Sequence, residues 1–251
     1  METQLVIPKI FENIAGLVAR QTTRLGNSHS GLYPGFNLGE SVGDDLELVK
    51  ANKDKLCQML GFGREQLYKS KQVHGTSVKY VTSGGYDEGY DALITDQLNV
   101  LLAVTVADCV PILLYDEEHK AVAAIHSGWK GTEGNIINNT LQAMATSFGT
   151  HASRIKAFIG ACISGKNYEV GADVASHFDA VFYRPSINAN KYMLDLKMVC
   201  KSQLQEAGVT DESIEVSHYC TFDDNDLFYS HRKEHGKTGR MLAVIGMKNK
   251  L

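Results

Sequence analysis

One apolar stretch, residues 100–114, constrains the fold of this chain more than any other segment. Asp108 and Pro111 interrupt it, and it is too short to span a bilayer, so it indicates buried strands instead of a membrane helix. The β-forming runs that we take as strands are residues 100–106, 112–115, 121–125 and 155–159. A chain of 251 residues is long enough to bury such strands in a core without disulfides or a structural metal.

Helix signals lie among these runs. Asp44 and Glu47 resemble a capping pair at the start of a first helix, and Gly61 is typical of its end. A second helix is predicted at 133–148, and a third begins near Asp195. No linker rich in Pro or Ser, charge block or repeat divides the chain. Because helices and strands are mixed, we predict one domain of the α/β or α+β class.

Composition and cysteine usage limit the partners and the compartment. The formal net charge of −4 argues against nucleic acid or an anionic membrane as the main partner. The five cysteines lie far apart and include no CxxC pair, which excludes a zinc ribbon and a dithiol redox motif. The first ten residues lack the basic and apolar regions of a signal peptide. Together with the scattered cysteines, this predicts a protein of the reducing cytoplasm.

Three short segments carry side chains that suit a metal ion. They are Lys71-Gln72-Val73-His74-Gly75, Ala107-Asp108-Cys109-Val110-Pro111 and Ile125-His126-Ser127-Gly128-Trp129. In each, a soft-metal ligand lies where a predicted strand meets a turn, namely His74, Cys109 and His126. If the strands at 100–106 and 121–125 are neighbours, Cys109 and His126 emerge at one sheet edge. Two imidazoles and one thiolate suit zinc, or copper, and leave a fourth position open for water or substrate.

A structural interpretation of the same residues stays open. Cys109 is then a buried core thiol, and both histidines are loop residues held by hydrogen bonds. The three residues are too far apart in the sequence for a compact zinc finger, so their spacing does not decide between the two interpretations.

Five motifs occur in a fixed order along the chain. They are Asn37-Leu38-Gly39 with Gly43-Asp44-Asp45, Gln72-Val73-His74-Gly75, Ala107-Asp108-Cys109-Val110-Pro111, His126-Ser127-Gly128-Trp129-Lys130-Gly131 and Gly239-Arg240-Met241. The ordered set resembles the YfiH/YlmD family, also called the laccase-domain or polyphenol-oxidase family, over residues 22–247. The resemblance implies an α/β/β/α arrangement of mixed sheets, with residues 1–251 forming a single metal-dependent, nucleoside-processing domain. It also implies that His74, Cys109 and His126 hold the metal and act in catalysis.

The resemblance further implies an enzyme that acts on purine nucleosides with phosphate. We expect Zn²⁺-dependent phosphorolysis of adenosine, inosine and S-methyl-5′-thioadenosine, with adenosine deamination as a second activity. Arg24 and Lys130 are the expected phosphate-binding residues, and the amides of Asn37 and Gln72 are expected to orient ribose or base. Lys130 stands where the family usually has Arg, which keeps the positive charge but loses the bidentate fork. The basic residues near the C-terminus that are expected to be structural are Arg232 and Arg240.

Other functions remain as alternatives. Cys109 is a candidate nucleophile of a cysteine hydrolase, with His126 or His74 as its base. A copper-dependent polyphenol oxidoreductase is another, although a four-copper laccase is excluded because the nine histidines include no His-x-His pair. A non-catalytic nucleoside-binding or partner-binding protein is less favoured, because an open three-ligand site is more typical of catalysis.

Overall fold

The computed structural model describes residues 3–26 and 31–249, which contain fifteen strands and five α-helices. The strands are β1 Leu5–Val6, β2 Leu17–Thr22, β3 Leu67–Lys71, β4 Val78–Tyr80, β5 Gly85–Glu88, β6 Ala92–Thr95, β7 Leu101–Val106, β8 Val110–Asp116, β9 Ala121–Ser127, β10 Ile155–Ile159, β11 Glu169–Gly171, β12 Tyr183–Pro185, β13 Lys191–Leu194, β14 Ile214–Val216 and β15 Met241–Met247. The helices are α1 Leu46–Leu60, α2 Trp129–Glu133, α3 Ile136–Phe148, α4 Ala172–Ala175 and α5 Leu196–Glu206.

Twelve of the strands form two six-stranded sheets, and three form a small antiparallel sheet. The strand order is β1-β2-β15-β7-β3-β5 in the first large sheet, β14-β10-β8-β9-β6-β4 in the second and β11-β13-β12 in the small one. Both large sheets are mixed. In the first, β3 runs parallel to β5 and β7, and in the second the β10–β14 and β4–β6 pairs are parallel.

The two large sheets pack face to face, and helices cover their outer faces. Leu102 and Val104 of β7 share an apolar cluster with Leu113 and Ala124 of the second sheet. Successive residues of a strand point to opposite faces, so Leu101 lies on the outer face against α1. Burial on both faces explains why β7 is apolar except at Thr105. Helices α3 and α5 cover the second sheet, and these four layers confirm the predicted α/β/β/α arrangement with mixed sheets.

Short sequence signals set the ends of α1 and the start of α5. Asp45 accepts the backbone N–H of Glu47, so the N-cap of α1 lies one residue after the predicted Asp44. Gly61 ends α1 at φ +70°, a left-handed conformation that favours glycine. Asp195 caps α5 by accepting a backbone N–H three residues later, where the sequence predicts the helix to begin.

The helix predicted at 133–148 corresponds to α3, which begins three residues later, and the short helix α2 precedes it. Asn135 separates them because it adopts φ +58°, which breaks the helical conformation. Among the helices of the described residues, none is long and apolar enough to cross a membrane.

The connection after β7 carries the chain from the first large sheet to the second. Asp108 lies in this connection at φ +84°, Cys109 follows, and β8 begins at Val110. In the second sheet β8 pairs with β9, so that Val110 lies opposite Ser127. The strands at 100–106 and 121–125, whose adjacency the sequence leaves open, are not neighbours, because β7 and β9 belong to different sheets. It is β8 that brings Cys109 beside the end of β9.

Candidate metal centre and its cavity

His74, Cys109 and His126 converge on one cavity of about 560 Å³. Their potential ligand atoms all lie within 4.8 Å of one another. Cys109 Sγ is 3.9 Å from His74 Nε2, and the two imidazole rings meet edge to face with their centroids 4.8 Å apart. The three segments that the sequence marks as metal-binding thus meet at one place in the fold.

Unusual backbone conformations present two of these ligands. His74 lies in the turn after β3 at φ +58°, and Asp108, directly before Cys109, lies at φ +84°. A non-glycine residue is strained there, and such strain is typical of functional sites. Asp108 is held in place because its carboxylate accepts the Thr221 hydroxyl and the backbone N–H of Arg232, each at 2.6 Å.

Asp91, which no sequence motif marks, connects both histidines. Its fully buried carboxylate accepts the Nδ1–H of His126 at 2.7 Å and the backbone N–H groups of residues 73–75 at 2.9–3.0 Å. Asp91 therefore fixes the turn of His74 and leaves Nε2 of His126 free to face Cys109. The available signal is weak, because an acid directly before a strand is also a common turn residue.

The Cys109 thiol and the His126 imidazole stabilise each other's charge. Burial acts to raise the pKa of Cys109, but the charge of His126 and hydrogen bonds from both histidines outweigh it and lower the pKa from 9 to about 6. Burial acts to lower the pKa of His126, yet the Cys109 thiolate and the Asp91 carboxylate raise it to about 9. Both shifts favour a thiolate–imidazolium pair, and the thiolate is the form that binds metals or attacks substrates.

The donor set fits a metal ion. Two imidazoles with a thiolate are zinc ligands of catalytic sites, where a fourth position stays open. Within residues 3–26 and 31–249, this is the cluster of His, Cys, Asp or Glu side chains whose geometry suits a metal. A Cβ atom at Gly128 would lie 2.9 Å from Cδ2 of His74 and 3.2 Å from Sγ of Cys109, so glycine lets the backbone pass close to both ligands.

Comparison with known proteins identifies the family. The sequence model described as multi-copper polyphenol oxidoreductase laccase matches residues 18–248. The chain belongs to this family, the YfiH/YlmD laccase-domain proteins. It is similar to the purine nucleoside phosphorylase of Deinococcus radiodurans, with 40% identity over 228 residues covering 90% of this chain and 87% of that one. It is also similar to purine nucleoside phosphorylase YlmD of Geobacillus stearothermophilus, with 36% identity over 253 residues and coverage of 92% and 90%.

Solved structures of the laccase-domain family have the same fold. The crystal structure of YlmD from Geobacillus stearothermophilus superimposes with a TM-score of 0.90 at 34% identity, covering 96% of this chain and 94% of that one. The hypothetical protein YfiH of Bacillus licheniformis gives a TM-score of 0.87 at 30% identity, with coverage of 92% and 93%.

In this laccase-domain protein, neither Arg24 nor Lys130 is among the residues that line the cavity. Arg24 donates to the Glu234 carboxylate at 3.2 Å and to the carbonyl of Asn225 at 2.8 Å, and its guanidinium lies 4.5 Å from the centroid of the Tyr229 ring. Lys130 is exposed on α2. Phosphate binding by these two residues stays a prediction.

Asn37 and Gln72 use their amides to hold the backbone around the cavity. Gln72 lines the cavity, but its Nε2 donates to the carbonyl of Thr105 at 2.8 Å and its Oε1 accepts the Thr105 N–H at 2.7 Å. Asn37 is buried, and its Oδ1 accepts the N–H groups of Gly39 and Arg240 at 3.0 and 2.8 Å. Contact of either amide with ribose or base stays a prediction.

Several residues of the cavity wall are not among those that the sequence predicts to bind metal or substrate. They are Lys69, Lys71, Tyr168, His231, Arg232 and Arg240. The last two, near the C-terminus, are expected from the sequence to be structural. Only the tertiary fold brings this part of the chain to the cavity.

Proposed function

We propose that this protein is a Zn²⁺-dependent purine nucleoside phosphorylase. The observation that carries the proposal is the convergence of His74, Cys109 and His126 on one cavity. The cavity volume of about 560 Å³ falls within the roughly 300–1,000 Å³ typical of small-molecule sites. Relatives that bear the name purine nucleoside phosphorylase match nine-tenths of the chain, which supports the same activity here.

Phosphorolysis breaks the bond between C1′ of the ribose and the purine nitrogen and forms a bond between C1′ and a phosphate oxygen. The purine leaves with the electron pair of the broken bond and takes up a proton. His74, Cys109 and His126 would hold the zinc ion, which would supply a Lewis acid. Tyr168 lines the cavity and stays protonated at neutral pH, because burial raises its pKa to about 12. We assign its hydroxyl as a hydrogen-bond donor to the leaving purine.

The substrates that we propose are adenosine, inosine and S-methyl-5′-thioadenosine, and adenosine deamination is the proposed second activity. Deamination consumes water and needs no phosphate, so the two activities are separable by assay. Because the proposed substrates are nucleosides and phosphate, the proposed partners are small molecules, and we propose no nucleic acid or membrane as a partner. Five cysteines without a disulfide support the cytoplasm as the compartment.

Two measurements on one preparation test this function. The protein is purified without added metal or a histidine tag, its metal content is measured, and each nucleoside is incubated with and without phosphate before chromatography. We expect one zinc per chain, release of purine base only with phosphate, and conversion of adenosine to inosine under both conditions. Absence of phosphate-dependent base release from all three nucleosides would refute the proposed phosphorylase.

A cysteine hydrolase is the second candidate, and the Asp91–His126–Cys109 arrangement favours it. Asp91 orients His126 through Nδ1, and His126 stabilises the thiolate of Cys109, which are the relations of orienting group, base and nucleophile. The two functions compete, because a thiolate bound to a metal is a poor free nucleophile. Rapid alkylation of Cys109 in the zinc-loaded protein would favour the hydrolase.

A further inference from the structure

The cavity wall carries more positive than negative charge. Its lysine, arginine and carboxylate residues are Lys69, Lys71, Arg232, Arg240, Glu40 and Asp108. Lys71 pairs with Glu88 at 3.3 Å. Glu40 forms ion pairs with two lysines: its carboxylate contacts Nζ of Lys53 and lies 3.3 Å from Nζ of Lys69. One carboxylate therefore balances two cations at this end of the cavity, before either arginine is considered.

Arg240 is anchored by uncharged groups alone within the described part of the chain. Its Nη1 donates to the carbonyls of Thr238 and Gly239 at 2.8 and 2.9 Å, and its backbone N–H donates to Asn37. A Cβ atom at Gly39 would lie 2.6 Å from Cγ of Arg240, so this glycine lets the arginine stem lie flat against the loop. Three of the five guanidinium N–H groups keep no partner among the described residues.

The guanidinium of Arg232 is also held by uncharged groups, and its backbone contacts the residue next to Cys109. Its Nη1 donates to the carbonyl of Glu169 at 2.7 Å, and its guanidinium lies 5.2 Å from the centroid of the Tyr168 ring. Its backbone N–H donates to Asp108, the residue before Cys109. Neither Arg232 nor Arg240 forms an ion pair with a carboxylate of residues 3–26 or 31–249, whereas Arg24, outside the cavity wall, pairs with Glu234.

We propose that Arg232 and Arg240 form the subsite for the phosphate co-substrate. A half-buried cation without a carboxylate partner costs solvation energy that an anionic ligand recovers. The planar fork of a guanidinium matches two phosphate oxygens, which a lysine cannot do. The shared lysine pair at Glu40 adds positive charge, which suits a dianion. This inference rests on the proposed phosphorylase function, and it replaces Arg24 and Lys130 as the residues that bind phosphate.

Binding of inorganic phosphate, measured by calorimetry on the zinc-loaded protein without nucleoside, tests the subsite directly. Arg232→Met and Arg240→Met should each weaken phosphate binding about ten- to a hundredfold, because each loses charge-assisted hydrogen bonds. Arg240→Lys should recover only part of the loss, since it restores the charge and not the fork. Arg154→Met is the matched control, because Arg154 is exposed and pairs with Glu118 at 3.7 Å.

Kinetics on the same variants separate this inference from the proposed function. In an active phosphorylase, the two arginine variants should raise the KM for phosphate while they retain zinc, and Arg154→Met should change neither. Failure of the wild-type protein to bind phosphate would overturn the subsite whatever the enzyme's activity. Unchanged phosphate binding in both arginine variants would also overturn the subsite. So would a loss of phosphate binding that appears in Arg24→Met or Lys130→Met and not in the two arginine variants. Neither result would contradict the proposed phosphorylase function. Adenosine 5′-monophosphate is the second probe, and binding tighter than that of inorganic phosphate, lost in the same variants, would show a subsite for phosphate esters instead.

Discussion

Two Asp–His pairs of this molecule, each with a buried carboxylate, form the same hydrogen bond and differ in the part of the structure that they stabilise. Asp91 accepts the Nδ1–H of His126 at 2.7 Å, and Asp116 accepts that of His119 at 2.9 Å. Both carboxylates are fully buried and accept further backbone N–H groups. Burial acts to raise both pKa values, but these hydrogen bonds outweigh it, so the pKa of each carboxyl is lowered.

The difference lies in the distance along the chain. Asp116 and His119 are three residues apart, so this pair closes the turn between β8 and β9, and the His119 side chain is 28% exposed. Asp91 and His126 are 35 residues apart, and the His126 side chain is 3% exposed and faces Cys109. The same two residue types stabilise a turn at Asp116–His119 and orient a candidate metal ligand at Asp91–His126. A buried Asp–His pair therefore indicates function only when the second ring nitrogen faces another reactive group.

Replacing a ligand should give the largest effect and separates the two pairs most clearly. His74→Ala, Cys109→Ala and His126→Ala are each expected to reduce zinc from one per chain to none and to abolish deamination, whereas His119→Ala keeps both. The fold should survive, because a chain of this size forms its core without a metal. Metal analysis and circular dichroism provide the two readouts. Full zinc occupancy in the three ligand variants would contradict the assignment.

Asp91→Asn should have the next largest effect. Outer groups that orient metal-bound histidines typically contribute about 10–100-fold to metal affinity, so a loss of that size is expected in a chelator competition assay. Asp116→Asn is the matched control, because it removes an equally buried carboxylate from a histidine that is not a ligand. Equal zinc affinity in the two variants would mean that Asp91 has only a structural role.

The strands at the centre of this fold are predictable from sequence, and their partners are not. The predicted runs correspond to β7, β8, β9 and β10, because strands buried on both faces are continuously apolar. The sequence leaves open whether β7 and β9 are neighbours, and they are not, because the chain crosses between the two sheets at Asp108. No local pattern encodes which sheet a strand joins after such a crossover.

The candidate site is predictable to a similar extent. The candidate metal ligands stand in distinctive short segments, so the sequence singles out His74, Cys109 and His126, and the fold brings them together. Their binding of a metal stays a prediction. Charged residues are harder to interpret, because a sequence does not tell which cations the fold pairs with an acid. Arg24 lies in a family motif and pairs with Glu234, whereas the guanidinium of Arg240 bonds only to backbone carbonyls among the described residues.

Thiol reactivity sharpens the comparison, because only the Asp91 pair acts on a cysteine. With zinc removed, Cys109 should be the fastest thiol to alkylate at pH 7, since a pKa of about 6 leaves roughly 90% of it as thiolate. Cys162 and Cys200 should stay unlabelled, because burial raises their pKa values to about 12. Peptide mapping by mass spectrometry measures each site. Zinc should protect Cys109, and equal labelling with and without zinc would contradict its role as a ligand.

The smallest expected effect is on the free energy of unfolding, and it is the same for both Asp–His pairs. In the zinc-free protein, Asp91→Asn and Asp116→Asn should each lower the free energy of unfolding at pH 7 by about 1–3 kcal/mol, because buried N–H groups lose a charged acceptor. Each folded carboxyl has a pKa below its unfolded value of about 3.9, so its stabilisation is present above that pH and is lost as the pH falls through the folded pKa. The gap between wild type and either variant should therefore be largest near pH 7 and narrow below pH 4, as measured by urea denaturation at several pH values. If only Asp116→Asn showed this dependence, the Asp91 carboxylate would contribute nothing to folding and would be retained for the metal centre alone.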